Sequence, residues 1–180
     1  MYGDGAVRSE PDVSGTAIGK AFEVAYAYLN KRERTEAEVR ARLQGAEVPG
    51  DEIEIVIAEL LELGYLDDAR YARVFTEDKR NLEAWGNERI ARALRERGVE
   101  RDLVEAALAQ DGGGAGFGEA DGAEITTELD RAIALLQQRF PRGPAEARDR
   151  ERAFGVLARK GYESETAADA VREWARRTSV

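Results

Sequence analysis

Two stretches of this chain lie over one another without a gap, and that limits what it can fold into. "ERIARALRERGVERDLVEAAL", from Glu88, aligns with "ERAFGVLARKGYESETAADAV", from Glu151, at an offset of 63 residues. Ile90 falls on Ala153, Leu94 on Leu157, Gly98 on Gly161 and Leu108 on Val171. "AEVRARLQGAEVPGDEIEIVI" gives a looser third copy, with Val39 on Ile90 and Leu43 on Leu94. A period of about 45 residues signals a repeat architecture, in which a unit too small to bury its own core leans on its neighbours. Apolar residues recur at helical spacing, and Val, Ile and Thr form no alternating runs. The expectation is an all-α chain of three tandem three-helix repeats, about nine helices in an elongated curved array.

The punctuation agrees with helices. "RTEAEVRARL" opens with a capping box, in which Thr35 accepts from the Glu38 N–H and Glu38 reaches back. "LLELGY", "LRERGV" and "LARKGY" share the pattern Leu-x-x-x-Gly-apolar. Gly64, Gly98 and Gly161 fit the left-handed residue of a Schellman turn, with Leu60 packing on Tyr65, Leu94 on Val99 and Leu157 on Tyr162. Asp51 precedes a run that sets Ile53, Ile57, Leu60 and Leu61 on one helix face. Pro144 suits a first helical position and Ser164 an N-cap. The resulting boundaries are a flexible arm at 1–20, repeat one at 21–66 and repeat two at 67–110. A Gly-rich acidic linker follows at 111–123, and repeat three at 124–177.

Composition narrows the chemistry. The chain contains no cysteine and no histidine, which removes disulfides, thiol chemistry, Ser–His triads and most zinc sites. No apolar run approaches a membrane span, and the N-terminus lacks the apolar segment of a secretory signal. The net charge of −9 is unevenly spread. Residues 21–66 hold ten acids and five bases, 111–128 five acids and no base, and 129–180 eight acids and eleven bases. Free nucleic acid is therefore expected to bind weakly, because duplex affinity depends on phosphate neutralisation. A basic face can still meet an acidic patch on a protein. "DGGGAGFGEADG" lacks the Gly-Lys-Ser/Thr end of a phosphate loop, so no nucleotide site is expected there.

In "LELGYLDDARYARVF", Asp67 and Asp68 follow the turn at Gly64 and open the next helix. A carboxylate there accepts orphan backbone N–H bonds and suits the positive helix end. A magnesium site would need further ligands, and the sequence offers no spacing for them.

"GYLDDARYA", followed by "WGNERIARALRERGV" and later "RAFGVLARKGY", resembles the RecX family of bacterial recombinase regulators, over about Ala21 to Trp174. The resemblance implies tandem three-helix repeats that lodge in the groove of a RecA filament on single-stranded DNA. It implies that ATP hydrolysis, strand exchange and co-protease activity are modulated, as inhibition, during DNA repair, recombination and the SOS response. It further implies a cytoplasmic protein that is no enzyme and has no catalytic, cofactor or metal residue. A monomer is expected. The linker and the overall acidity depart from the family pattern.

Two basic faces are candidates for partner contact. Arg89, Arg92 and Arg95 lie opposite Ile90, Ala93 and Leu94, and Arg70 and Arg73 extend them. Arg148, Arg152, Arg159 and Lys160 form the second. Either face can equally be a solvated helix surface. Tyr71 and Phe75 read as core, as does Trp174, while Trp85 can be core or an interface anchor. Rival readings are a nucleic-acid-binding helical module, a helical adaptor for another protein, and a magnesium-dependent hydrolase using Asp67 and Asp68.

Overall fold

The computed structural model describes residues 17–110 and 127–178. Among these there are nine helices and no strand. They are α1 (Ala17–Leu29), α2 (Glu36–Gln44), α3 (Gly50–Glu62), α4 (Asp68–Glu83), α5 (Asn87–Arg95), α6 (Arg101–Ala109), α7 (Glu128–Arg139), α8 (Ala147–Lys160) and α9 (Ser164–Thr178). No described helix is long and apolar enough to cross a membrane. The linker expected at 111–123, and residues 1–16 of the expected arm, lie outside the described residues. Ala17 to Lys20, assigned to the arm because residues 1–20 together are small, polar and Gly-containing, already belong to α1.

The chain divides into two compact bodies, one ending at Asp67 and the other beginning at Asp68. In the first, α1, α2 and α3 close around Ala21, Ala25, Val39, Leu43, Val56 and Leu60. The second body holds two such triplets. Tyr71, Ile90, Leu94 and Val104 centre one, and Ile133, Leu136, Leu157 and Trp174 the other. The middle helix repeats most faithfully: Val39, Leu43, Ile90, Leu94, Ala153 and Leu157 are all 0% exposed. These are the positions that the internal alignment superimposes.

Local chemistry ends the helices. Thr35 Oγ1 accepts from the Glu38 N–H at 3.2 Å, and the Glu38 carboxylate accepts from the Thr35 N–H at 3.2 Å. Gly64, Gly98 and Gly161 have φ of 72°, 79° and 83°. The residue after each donates to the carbonyl five positions earlier: Tyr65 to Leu60 at 2.9 Å, Val99 to Leu94 at 3.2 Å and Tyr162 to Leu157 at 3.1 Å. These bonds satisfy carbonyls that a helix end leaves open. Val99 and Tyr162 are buried behind their turns, but Tyr65 is 54% exposed. Leu66 takes the buried place, and Tyr65 instead meets Tyr26 edge-on at 5.3 Å.

Other local expectations shift by a residue or a turn. In α3 the buried face is Ile53, Val56, Ile57 and Leu60, while Leu61 is exposed, because packing on α1 and α2 turns the stripe toward Val56; the helix starts at Gly50, one residue before Asp51. Pro144 precedes α8 by three residues. The Asp149 carboxylate accepts from the Ala145 and Glu146 N–H groups, and this fixes the start later than proline would. Ser164 is the first residue of α9, with the Glu163 carbonyl accepting from Ala167.

Candidate functional site

The nine candidate cations fall into two groups. Arg70 and Arg73 on α4, Arg92 and Arg95 on α5, and Arg148, Arg152 and Arg159 on α8 are exposed. Arg73 pairs loosely with Glu77 at 3.9 Å, and Arg95 Nε donates to its own helix at Ala91. Exposed pairs of this kind contribute little and leave the charge open to a partner. Arg89 and Lys160 are half-buried and already engaged. Arg89 stacks over the Trp85 ring at 3.9 Å and donates to the Arg159 carbonyl at 3.3 Å. Lys160 Nζ donates to the Glu83 carbonyl at 2.6 Å. These two therefore join the second and third triplets.

Backbone bonds reinforce that join. The Gly86 N–H donates to the Lys160 carbonyl at 2.9 Å, and the Glu88 N–H donates to the Gly161 carbonyl at 3.2 Å. The open N–H groups at the start of α5 thus meet the open carbonyls at the end of α8. The positive end of one helix dipole faces the negative end of the other. The approach is so close that a Cβ on Gly86 would lie 2.3 Å from the Gly161 oxygen.

A polar chain runs beside it. Arg80, 6% exposed, donates to the Leu108 and Gln110 carbonyls and to Asn87 Oδ1. The Asn87 N–H and Nδ2 donate to the two oxygens of Glu128 at 2.7 and 2.9 Å. Burial pushes the Glu128 carboxyl above its usual range, opposed by the bond from Asn87. The Tyr162 phenol, buried alongside, is pushed up to about 12, chiefly by desolvation. Glu83 moves the other way, lowered mainly by its bond from Lys79 and less by Arg89 and Lys160.

Asp67 precedes α4 and Asp68 opens it. Among the described residues, no three acidic side chains converge as a cation site. Tyr71 is buried and stacks on Phe75, whose ring meets Trp85 edge-on at 6.4 Å. Lys79 and Arg97 lie over the Phe75 ring and cover this aromatic pair. Trp174 is fully buried and packs on Phe140.

Sequence reading passed over Gly86, Asn87, Arg80 and Glu128 as functional positions. Gly86 and Asn87 lie in "WGNER", yet nothing local in that string shows a partner glycine 75 residues later.

Comparison with known proteins places this architecture. Residues 21–60 match the RecX first three-helix domain, and residues 67–108 match the RecX second three-helix domain. The regulatory protein RecX of Thermobifida fusca (strain YX) is 32% identical over 157 residues, covering 86% of this chain and 78% of that protein. The regulatory protein RecX of Lactobacillus delbrueckii subsp. bulgaricus is 40% identical over 93 residues, 52% of this chain and 34% of that protein. The crystal structure of RecX from Lactobacillus salivarius superposes with a TM-score of 0.71 at 20% identity, over 88% of this chain and 96% of that one. Shared sequence along most of the chain, two matched domains and a shared helical fold make one conclusion: this chain belongs to the RecX family.

Proposed function

We propose that this chain is a non-enzymatic regulator that binds the RecA recombinase filament on single-stranded DNA. It restrains ATP hydrolysis, strand exchange and co-protease activity, and it acts in the cytoplasm as a monomer. The observation that carries this reading is the 32% identity, over 86% of the chain, to a protein named regulatory protein RecX. The arrangement of cations is compatible with it. Arg70, Arg73, Arg92, Arg95, Arg148 and Arg152 lie on exposed helix surfaces, where a guanidinium can meet a partner. Arg89 and Lys160 hold the body together instead, so their loss acts through structure.

The test is ATP hydrolysis by the cognate recombinase on single-stranded DNA, titrated with this protein below one copy per recombinase. Inhibition at such ratios, with co-sedimentation on the filament, is the expected result. Unchanged hydrolysis without co-sedimentation would discard the reading. Affinity for bare DNA at physiological salt is expected to be weak, with a shallow salt dependence, given a net charge of −9.

A further inference from the structure

Beside the join lies a groove of about 630 Å³ between α5, α7 and α8. Arg89, Arg139, Arg159 and Lys160 line it, with Leu135 and Val156 as its apolar part and no acidic side chain among the lining residues. Basic residues in the last turn of a helix are ordinary, since they suit the negative dipole end. That accounts for Arg139 on α7 and for Arg159 and Lys160 on α8, one helix at a time. Arg89 reaches them from α5, over the Trp85 ring and onto the Arg159 carbonyl. The next two carbonyls at the end of α8 are taken by the Gly86 and Glu88 N–H groups, so Arg139 and Arg159 have no such acceptor left there.

The guanidinium groups of Arg139 and Arg159 have no carboxylate partner among the described residues. The nearby Glu83 is held by Lys79. At Arg139 and Arg159 the groove therefore presents positive charge without a paired carboxylate, beside an aliphatic strip.

We propose that this groove is a docking site for an acidic peptide segment of a protein partner, one that alternates carboxylate and aliphatic side chains. Charge complementarity selects the carboxylates, which Arg binds through paired N–H donors. Leu135 and Val156 select the aliphatic residues. The volume falls within the roughly 300–1,000 Å³ typical of sites for small ligands, so it takes a few side chains and not a folded surface. A nucleic-acid strand is the poorer fit. Its bases are held by stacking on aromatic rings, and no aromatic lines the groove. The proposal does not depend on which protein carries the segment.

The experiment uses the full chain and a short blocked peptide of alternating Glu and Leu, with its Lys/Leu counterpart and an oligothymidine of equal charge. Fluorescence anisotropy is expected to show salt-sensitive binding of the Glu/Leu peptide alone. The double variant Arg139→Glu/Arg159→Glu should weaken it by about tenfold or more. Arg172→Glu, exposed on α9 and not in the groove, should leave it unchanged. Arg139→Gln/Arg159→Gln serves as the second variant if charge reversal lowers helicity. Perturbation of the Leu135 and Val156 methyl signals by the peptide would localise binding. Absence of binding to the wild type, or equal binding by both double variants, overturns the proposal. So does preferential binding of oligothymidine that the same variants abolish. Recombinase inhibition by the double variants is scored separately, so loss of the peptide site does not by itself decide the regulatory reading.

Discussion

Gly161 carries two constraints, and a methyl group tests both. Its φ of 83° is costly for any residue with a Cβ, and a Cβ there would lie 2.2 Å from the Arg89 Cβ. Gly64 has a similar φ of 72° but open space around it. Gly64→Ala should therefore cost only backbone strain, about 1–2 kcal/mol. Gly161→Ala should cost that and about 1–3 kcal/mol more from forced repacking, as read by urea denaturation. Equal costs would mean that the close approach is relieved easily. Thr35, buried at 0% exposure within its capping box, is expected to lose about 1 kcal/mol on substitution by Ala. Glu173 sets a pH dependence. Bonds from Arg176 and Arg177 lower it from the usual 4.5 to about 2. A depressed carboxyl stabilises the fold above its ordinary value, and the effect fades as pH falls toward about 2. Glu173→Gln should flatten that part of the acid-stability profile, and an unchanged acid limb would show that solvent screens the pair.

A helix's first N–H groups normally exchange quickly, because no preceding turn supplies acceptors. The start of α5 should be an exception. Gly86 and Glu88 donate to carbonyls at the end of α8, so their amides are expected to exchange as slowly as interior ones. Fast exchange at both would show that the join opens readily. Asn87→Ala keeps the main-chain N–H bond to Glu128 but removes the side-chain link between Arg80 and Glu128, and should destabilise the second body by about 1–3 kcal/mol. The elements also show what sequence can and cannot reveal. Thr35 with Glu38, and each glycine with the carbonyls of its own helix, act within a few residues, so their chemistry is legible in a short string. The register of the middle helices is legible because a buried stripe is periodic. Pro144 misled because Asp149, a carboxylate reaching back along the chain, outcompeted it as the start signal. The placement of Arg89 and Lys160 was not legible, since a helical wheel separates buried from exposed but says nothing of another helix's end.

At the scale of the molecule, an acidic chain keeps its uncompensated cations in particular places. The net charge of −9 opposes indiscriminate phosphate binding, while the groove beside α8 gathers four bases with no acid among its lining. If the exposed arginines of α5 meet the recombinase, Arg92→Ala/Arg95→Ala should raise the concentration needed for half-inhibition several-fold while leaving helicity intact. Unaltered inhibition would move the contact to another face. The join between the second and third triplets has a consequence for how such a protein can change over generations. Part of the join is main chain to main chain, at Gly86 and Gly161, and nearly any side chain can supply a main-chain atom. Provided that Gly86, Gly161, Arg89 and Lys160 persist, Arg139 and Arg159 at the groove are free to be exchanged one by one. The platform can thus be kept while the preference for partners drifts.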